Sequence, residues 1–416
     1  MKLSKQSRNL ILFFSKNKHL NYIYNTNKTN QILSNQILRQ LYNVLVESYH
    51  YCKKNIHYKI EFKNIVNSSQ ITKPLNFNAK SFPELVRNHI DESMMSEISY
   101  SFSLYDRNIK VYFIVENEHL ELEIESYNRY MESICMWLYI LNIYSSKECA
   151  KNLIIYFYMT SLEKTLPNSN IHILNENNVN TAFTTTCPRD SEIVVFRNEE
   201  WFKVFIHETF HNFGLDFSMM NNEVVNNCIL NIFKVNSEVN CYEAYTEFWA
   251  EIINVCFCSF HTIKNNININ DFHSNFEFYI NFERTYSIFQ LVKTLNFMGL
   301  TYKDLYLNSK HSIILRENLY KENTNVLSYY IIKTVLLNNY QGFLIWCKKN
   351  NLSLLDFKKT IGNLKEFCKF IEKNYKKQSL LDDIYKTQLL LYKTKNKKGD
   401  YRYILSNLRM SICELG

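Results

Sequence analysis

Two histidines four residues apart, with a glutamate directly after the first, stand in the stretch HETFHNFGLDF (residues 207–217). On a helix, His207 and His211 lie one above the other, at the span that two ligands of a tetrahedral Zn²⁺ require. Glu208 turns toward the same space, where it can take a proton from a water activated by the metal and pass it to a leaving amine. The pattern therefore predicts a catalytic zinc site. The alternative is a set of polar residues on the exposed face of an amphipathic helix.

A catalytic zinc site needs a third protein ligand. The stretch CYEAYTEFWAEIINV (241–255) places Glu243, Glu247 and Glu251 on one stripe of a predicted helix, with apolar residues on the other side. These carboxylates repel one another, and no Lys or Arg occurs between residues 235 and 263 to relieve them. We therefore expect a cation against the stripe, which a metal ion would supply. The alternative is a solvated acidic helix face.

The residues around the histidines predict the helix that positions them. Asn198 can cap a helix from about residue 199 to 213 with an acidic first turn, and Gly214 can close it in the left-handed conformation. Apolar side chains and histidines then fall on opposite faces, so that the histidines point away from the apolar face. The run EIVVFR (192–197) predicts a strand just before this helix. That strand is interpreted either as an edge strand that pairs with an extended substrate or as ordinary sheet packing.

HExxH followed by a glutamate-bearing helix resembles the gluzincin metallopeptidases, in which two His and one Glu bind zinc. The segment EFWAE resembles the corresponding helix of lethal-factor-type toxins, which implies that Glu247 is the third ligand and that Glu251 orients a ligand. The segment YEAYTE is also similar to the thermolysin-type NExxSD helix, which implies Glu243 as the ligand and Glu247 as its neighbour. We prefer Glu247, because the toxin-like match covers more side chains. The metzincin pattern HExxHxxGxxH fits less well, since Phe217 takes its last position and Asp216 falls one residue short.

Residues 150–345 also resemble uncharacterised metallopeptidase-like proteins of giant, AT-rich DNA viruses. Most of that likeness lies in the run NTAFTTTCPRDSEIVVFRNEEWFKVFIHETFHNFGLDFS. Abundant Asn, Lys, Ile, Tyr and Phe, with only 6 Gly and 4 Pro, agree with an AT-rich coding genome. The resemblance implies a viral protein of the host-cell cytoplasm or the virion.

Three further side chains have a type that suits the predicted chemistry. Peptide hydrolysis passes through an oxyanion that a neutral donor can stabilise, and Tyr329 and Tyr330 are candidates for that donor. The alternative for each tyrosine is a place in the core. Cys187, just before the predicted strand, is considered as an inhibitory thiolate and is not favoured, because most free cysteines are buried packing residues.

The composition limits the classes of partner. The net charge of +8 is modest for 416 residues, and the basic cluster at 393–402 is typical of a solvated surface, so we do not expect nucleic-acid binding. Eleven cysteines without framework spacing indicate the reduced thiols of an intracellular protein. The first apolar run is too short for a signal peptide, and no run reaches the ~18 apolar residues of a membrane span. We therefore expect a cytoplasmic protein that acts on a peptide or protein substrate, with its oligomeric state left open.

The periodic patterns along the chain predict an α+β fold, a zincin-like small mixed sheet with the active-site helix followed by a mostly helical subdomain. We expect a mostly helical region of unknown role at 1–97, an α/β zincin subdomain at 98–217, and a helical subdomain at 218–416 that carries the third zinc ligand. The predicted function is a zinc-dependent peptidase with Zn²⁺ as its cofactor. The alternative is a catalytically inactive zincin fold kept as a structural or host-interaction protein.

Overall fold

The computed structural model describes residues 1–16, 28–79, 81–263, 268–396 and 401–416. The helices among them are α1 (Lys5–Ser15), α2 (Lys28–Asn55), α3 (Glu84–Ser93), α4 (Ile124–Tyr144), α5 (Glu176–Val179), α6 (Trp201–Asn212), α7 (Glu223–Ile232), α8 (Cys241–His261), α9 (Ile269–Phe297), α10 (Lys310–Leu319), α11 (Lys333–Asn338), α12 (Tyr340–Asn350), α13 (Ile361–Asn374), α14 (Gln378–Asn396) and α15 (Arg402–Ser406). The strands are β1 (Lys59–Asn64), β2 (Ser96–Leu104), β3 (Arg107–Val115), β4 (Asn152–Met159), β5 (Leu174–Asn175), β6 (Ala182–Thr184), β7 (Asp190–Val195) and β8 (Glu322–Asn323). A π-helical segment, Leu327–Ile332, runs directly into α11.

Six of the strands form one mixed sheet in the order β1-β2-β3-β4-β7-β6. The pairs β3/β4 and β4/β7 are parallel, whereas β1/β2, β2/β3 and β6/β7 are antiparallel. The central strands are runs of β-branched and aromatic residues, as expected for strands that are covered on both faces. This sheet, together with the helices that follow it, confirms the predicted α+β fold class.

The two faces of the sheet pack against different layers. Alternate residues of one face, such as Val111, Ile155 and Ile193, join a large core with α4, α6 and α8. Residues of the opposite face, such as Tyr158 and Val194, join a smaller core with α3. Helix α6 is therefore held between the sheet and the helical half of the molecule, which fixes the position of the HExxH motif.

The predicted strand at 192–197 forms as β7, but it is not an edge strand. It lies inside the sheet, parallel to β4 on one side and antiparallel to β6 on the other. The edge is β6, which pairs Ala182 with Val195 and Thr184 with Ile193. Sequence periodicity missed β6 because three residues in a polar, Asn- and Thr-rich loop are too few to display an alternating pattern.

Helix α6 begins at Trp201, two residues later than expected, because Glu200 adopts a left-handed conformation with φ 59°. Its carboxylate accepts hydrogen bonds from the backbone amides of Met410 and Ser411, which ties the segment 407–413 to the start of the helix. The predicted stop is confirmed, since Gly214 has φ +65°.

The first and last thirds of the chain contain the elements that periodicity predicts. The helical stretch at 35–55 lies in α2, which packs on α4, and β1 joins the six-stranded sheet.

The predicted boundaries at residues 97 and 217 stay predictions. Within the described ranges, no helix combines the length and apolar character needed to cross a bilayer. Residues 397–400 of the basic cluster at 393–402 lie outside the described residues.

The cysteines differ in part from the expectation of reduced thiols. Disulfides join Cys149 to Cys187 and Cys228 to Cys368, over sequence separations of 38 and 140 residues. Pairs so far apart leave no recognisable spacing in the sequence. Cys187 therefore does not approach the histidines as a free thiolate. The remaining cysteines are buried and unpaired, as expected of packing residues.

Candidate metal centre

The two histidines of the HExxH motif lie in the interior, where α6 packs against α8. The exposed fractions of His207, Glu208 and His211 are 5%, 8% and 9%. The alternative of an exposed amphipathic face is therefore wrong, because the polar face of α6 packs against the glutamate stripe of α8. The two helices run antiparallel, since Lys203 pairs with Glu247 and His211, two turns later, lies beside Glu243.

Three electron-rich atoms converge between the two helices. His207 Nε2 lies 3.2 Å from His211 Nε2 and 3.1 Å from Glu243 Oε2, and His211 Nε2 lies 3.4 Å from the same oxygen. These three residues form a buried group that could hold a metal ion. Tetrahedral ligands at Zn–N distances of about 2.0–2.1 Å are about 3.3 Å apart, so the observed separations suit that geometry.

The other nitrogen of each imidazole faces a carboxylate. His207 Nδ1 lies 2.8 Å from Glu247 Oε2, and His211 Nδ1 contacts Asp216 Oδ2. An Nδ1–H that donates to a carboxylate leaves Nε2 as the lone-pair nitrogen, which is the arrangement found in metal-ligating histidines. From the sequence, Asp216 was considered only as a possible metal ligand. Its contact with His211 depends on the left-handed turn at Gly214, which returns the chain toward the histidine.

The glutamate stripe is neutralised differently from the expectation. Glu247 contacts the ammonium of Lys203, and Glu251 Oε1 lies 3.0 Å from Lys333 Nζ. Both lysines come from other helices. The lack of Lys and Arg within residues 235–263 therefore gave no sign that lysines elsewhere in the chain neutralise the stripe. Of the three stripe carboxylates, Glu243 alone is paired with histidines and with no lysine among the described residues.

The geometry thus differs from the assignment preferred on sequence grounds. Glu243 rather than Glu247 stands beside the two Nε2 atoms, and Glu247 takes the Nδ1 side of His207. Glu251 is one turn further along α8 and contacts Lys333, not a histidine. The thermolysin-like spacing describes this arrangement, and the toxin-like spacing does not.

The charges of the site shift its ionisation strongly. Burial alone would lower the pKa of His207, but the hydrogen bonds that its ring donates to the carboxylates of Glu243 and Glu247 outweigh burial and raise that pKa. Burial would likewise raise the pKa of Glu243, yet the neighbouring imidazoles hold it well below its usual range. The metal-free site therefore favours protons on its imidazoles, and a metal ion would have to displace them.

Glu208 lies on the same side of α6 and lines a small cavity. Burial raises the pKa of this carboxyl group, the imidazoles of His207 and His211 oppose the rise, and Glu243 adds to it. A carboxyl group with a raised pKa holds a proton more readily than an ordinary glutamate, which suits it to accept a proton and return it. The cavity has a volume of about 50 Å³ and is also lined by residues 179–182, which lead into the edge strand β6, and by Met410.

The two candidate tyrosines are separated by the structure. The hydroxyl of Tyr329 lies 3.0 Å from Glu243 Oε2 and lines the cavity, whereas the hydroxyl of Tyr330 donates to the carbonyl of Leu408, 2.7 Å away. Both belong to the π-helical segment, a distortion that often occurs at functional sites. Tyr329 is thus brought to the candidate site and Tyr330 is not.

Comparisons with known proteins identify one relative of this chain. The chain is 28% identical over 188 residues to an uncharacterised protein of Acanthamoeba polyphaga mimivirus, a match that covers 44% of this chain and 46% of that protein. No protein-family model and no solved structure matches the chain. The expected likeness to a giant-virus protein is confirmed, and the likeness to zinc peptidases stays a prediction.

Proposed function

We propose that this protein is a zinc-dependent peptidase whose metal ligands are His207, His211 and Glu243. The observation that carries the proposal is the convergence of two imidazole nitrogens and a carboxylate oxygen within 3.4 Å of one another in a buried site. Such a set of atoms calls for positive charge between them, because lone pairs at this distance repel; protons on the imidazoles supply it in the metal-free site, and a metal ion would supply it in their place. Two His and one carboxylate leave an open position on Zn²⁺, as catalytic sites require.

Zn²⁺ bound there would act as a Lewis acid that lowers the pKa of a water molecule and polarises a peptide carbonyl. Glu208, beside the ligands and with a raised pKa, takes the proton from the attacking water and returns it to the leaving amine. Tyr329, which is neutral because burial holds its pKa well above the usual range, donates a hydrogen bond to the developing oxyanion.

The edge of the sheet supports a peptide as the substrate. Residues 179–182 border the cavity beside Glu208, and β6 offers a strand edge with which an extended chain can pair. Backbone pairing would lay the scissile bond along the cavity without requiring a particular side chain.

The test is the metal content of the purified protein and its hydrolysis of a mixed peptide library. We expect one Zn²⁺ per chain and cleavage that Glu208→Gln slows by roughly 10²–10⁴-fold while the metal content stays the same. Absence of stoichiometric metal would refute the site, and equal turnover by the two proteins would refute the mechanism.

A second candidate is an inactive zincin fold that serves as a structural or host-interaction protein. The small cavity supports it, because Met410, from the chain's own segment 407–413, lines the space that a substrate would enter. A protein that binds zinc stoichiometrically and cleaves no member of the library would favour this candidate. The mimivirus relative supports a viral protein of the host cytoplasm or the virion in either case.

A further inference from the structure

Lys203 lies on α6 one turn before His207 and is buried against α8, with 2% of its surface exposed. Its ammonium group contacts Glu247 Oε1, while the second oxygen, Oε2, lies 2.8 Å from His207 Nδ1. The lysine therefore reaches the histidine through the carboxylate. It does not belong to the three atoms that converge on the metal position.

Glu243 and Glu247 are chemically equivalent candidates for the metal. They occupy the same face of α8 one turn apart, and both carboxylates contact His207. Glu243 also contacts His211 and Tyr329. Glu247 differs from it by the lysine ammonium on its other oxygen, Oε1. A buried carboxylate that loses a cation in direct contact with it is disfavoured, so the ammonium of Lys203 holds the Glu247 carboxylate where it lies.

We infer that Lys203 is a positioning residue that keeps Glu247 on the Nδ1 side of His207 and leaves the metal position to Glu243. This inference rests on the metal site of the proposed function. A Glu247 carboxylate released from the lysine turns either toward the metal or away from Nδ1. The first movement changes the ligand set, and the second frees the His207 ring to rotate, so either one weakens metal binding.

The test uses the full chain with Lys203→Met, titrated with Zn²⁺ against a chromophoric chelator and with Co²⁺ in its visible absorption spectrum. We expect the metal dissociation constant to rise about 10- to 100-fold, the usual effect of losing a partner behind a ligand, and the Co²⁺ spectrum to change. Lys203→Arg retains the cation and should restore most of the affinity and the original spectrum.

Lys333→Met is the matched control, because Lys333 forms the same kind of buried pair with Glu251, which contacts no histidine. It should lower the melting temperature and leave both the dissociation constant and the spectrum unchanged. A merely structural role for Lys203 predicts that the two lysine variants behave alike.

A double variant keeps the inference testable if Lys203→Met does not fold. Lys203→Met/Glu247→Leu removes both members of the pair, a replacement that buried ion pairs often tolerate, and it should show the same loss of affinity. A wild-type protein that binds neither metal would refute the proposed function itself. Tight binding by the wild type, with an unchanged constant and spectrum in the single or the double variant, would overturn only the role of Lys203.

Discussion

The identity of the third ligand can be decided by how much a metal ion raises the melting temperature of each glutamate variant. A ligand present at about a thousand times its dissociation constant stabilises the folded state by about 4.1 kcal/mol. An unfolding entropy of about 2.1 cal/mol/K per residue gives about 0.9 kcal/mol/K for a chain of 416 residues that unfolds as one unit. We therefore expect zinc to raise the melting temperature of the wild type by about 5 °C.

Replacing a ligand should nearly abolish that rise. Four-ligand structural zinc sites contribute about 10–16 kcal/mol, or roughly 2.5–4 kcal/mol per ligand, which corresponds to a loss of affinity of about 60- to 700-fold. At the same zinc concentration, Glu243→Gln should then retain a rise of about 2 °C or less. Glu247→Gln, which changes the shared partner of Lys203 and His207 Nδ1 but none of the three atoms at the metal position, should retain about 2–3 °C.

Glu251→Gln is the control on the same helix face, and its rise should equal that of the wild type, because Glu251 contacts Lys333 and not a histidine. The assay is differential scanning calorimetry of each protein with zinc and with a chelator, so that each variant's own loss of stability cancels. A full rise in Glu243→Gln together with none in Glu247→Gln would refute the geometric reasoning and restore the toxin-like assignment.

Three other outcomes follow from the same site and its surroundings. Glu208→Gln should lower kcat by roughly 10²–10⁴-fold without changing the bound metal, as measured by steady-state kinetics on a cleaved peptide. Tyr329→Phe should lower kcat by about 10²-fold or more, whereas Tyr330→Phe, which loses a hydrogen bond to a core carbonyl, should cost about 1 kcal/mol of stability in urea denaturation and leave kcat unchanged. Burial raises the pKa of Glu322, whose carboxylate faces the backbone amides at the start of the π-helical segment, to about 7. The protonated Glu322 therefore contributes its full stabilisation below the unfolded pKa of 4.5, and this stabilisation is lost as the pH rises through 7. Glu322→Gln should remove that part of the pH dependence of the unfolding free energy. An unchanged pH profile in the variant would contradict this expectation.

Sequence patterns predicted the helices and strands that are long enough to show a periodic pattern. The strands β2, β3, β4 and β7 and the helices α2, α4, α6, α8 and α9 have enough residues to display a period of 2 or 3.6. The three residues of β6 do not, although they form the edge beside the cavity. The same periodicity made His207, His211 and Glu208 evident, since their spacing is local.

The choice among the glutamates could not be made in the same way. Glu243, Glu247 and Glu251 share one face of α8, and local spacing treats them alike. What separates them is tertiary, because Lys203 from α6 and Lys333 from α11 each occupy one carboxylate. Neither lysine has a sequence relation to α8 that a motif could encode.

Helices α6 and α8 meet along a row of polar side chains, and the geometry of the α-helix limits how long such a row can be. Residues four apart advance 400° around an α-helix, so each successive member drifts about 40° from the line that faces the partner. After two such steps the side chains have rotated by about 80°, and a further pair would point away from the contact. The chain follows this limit. Four residues after Glu251, the next position of the stripe is Val255, which is fully buried among apolar side chains. Straight helices thus have room for one ion and the pairs that flank it, and a second ion in the same row would require a bend or supercoil in one of them.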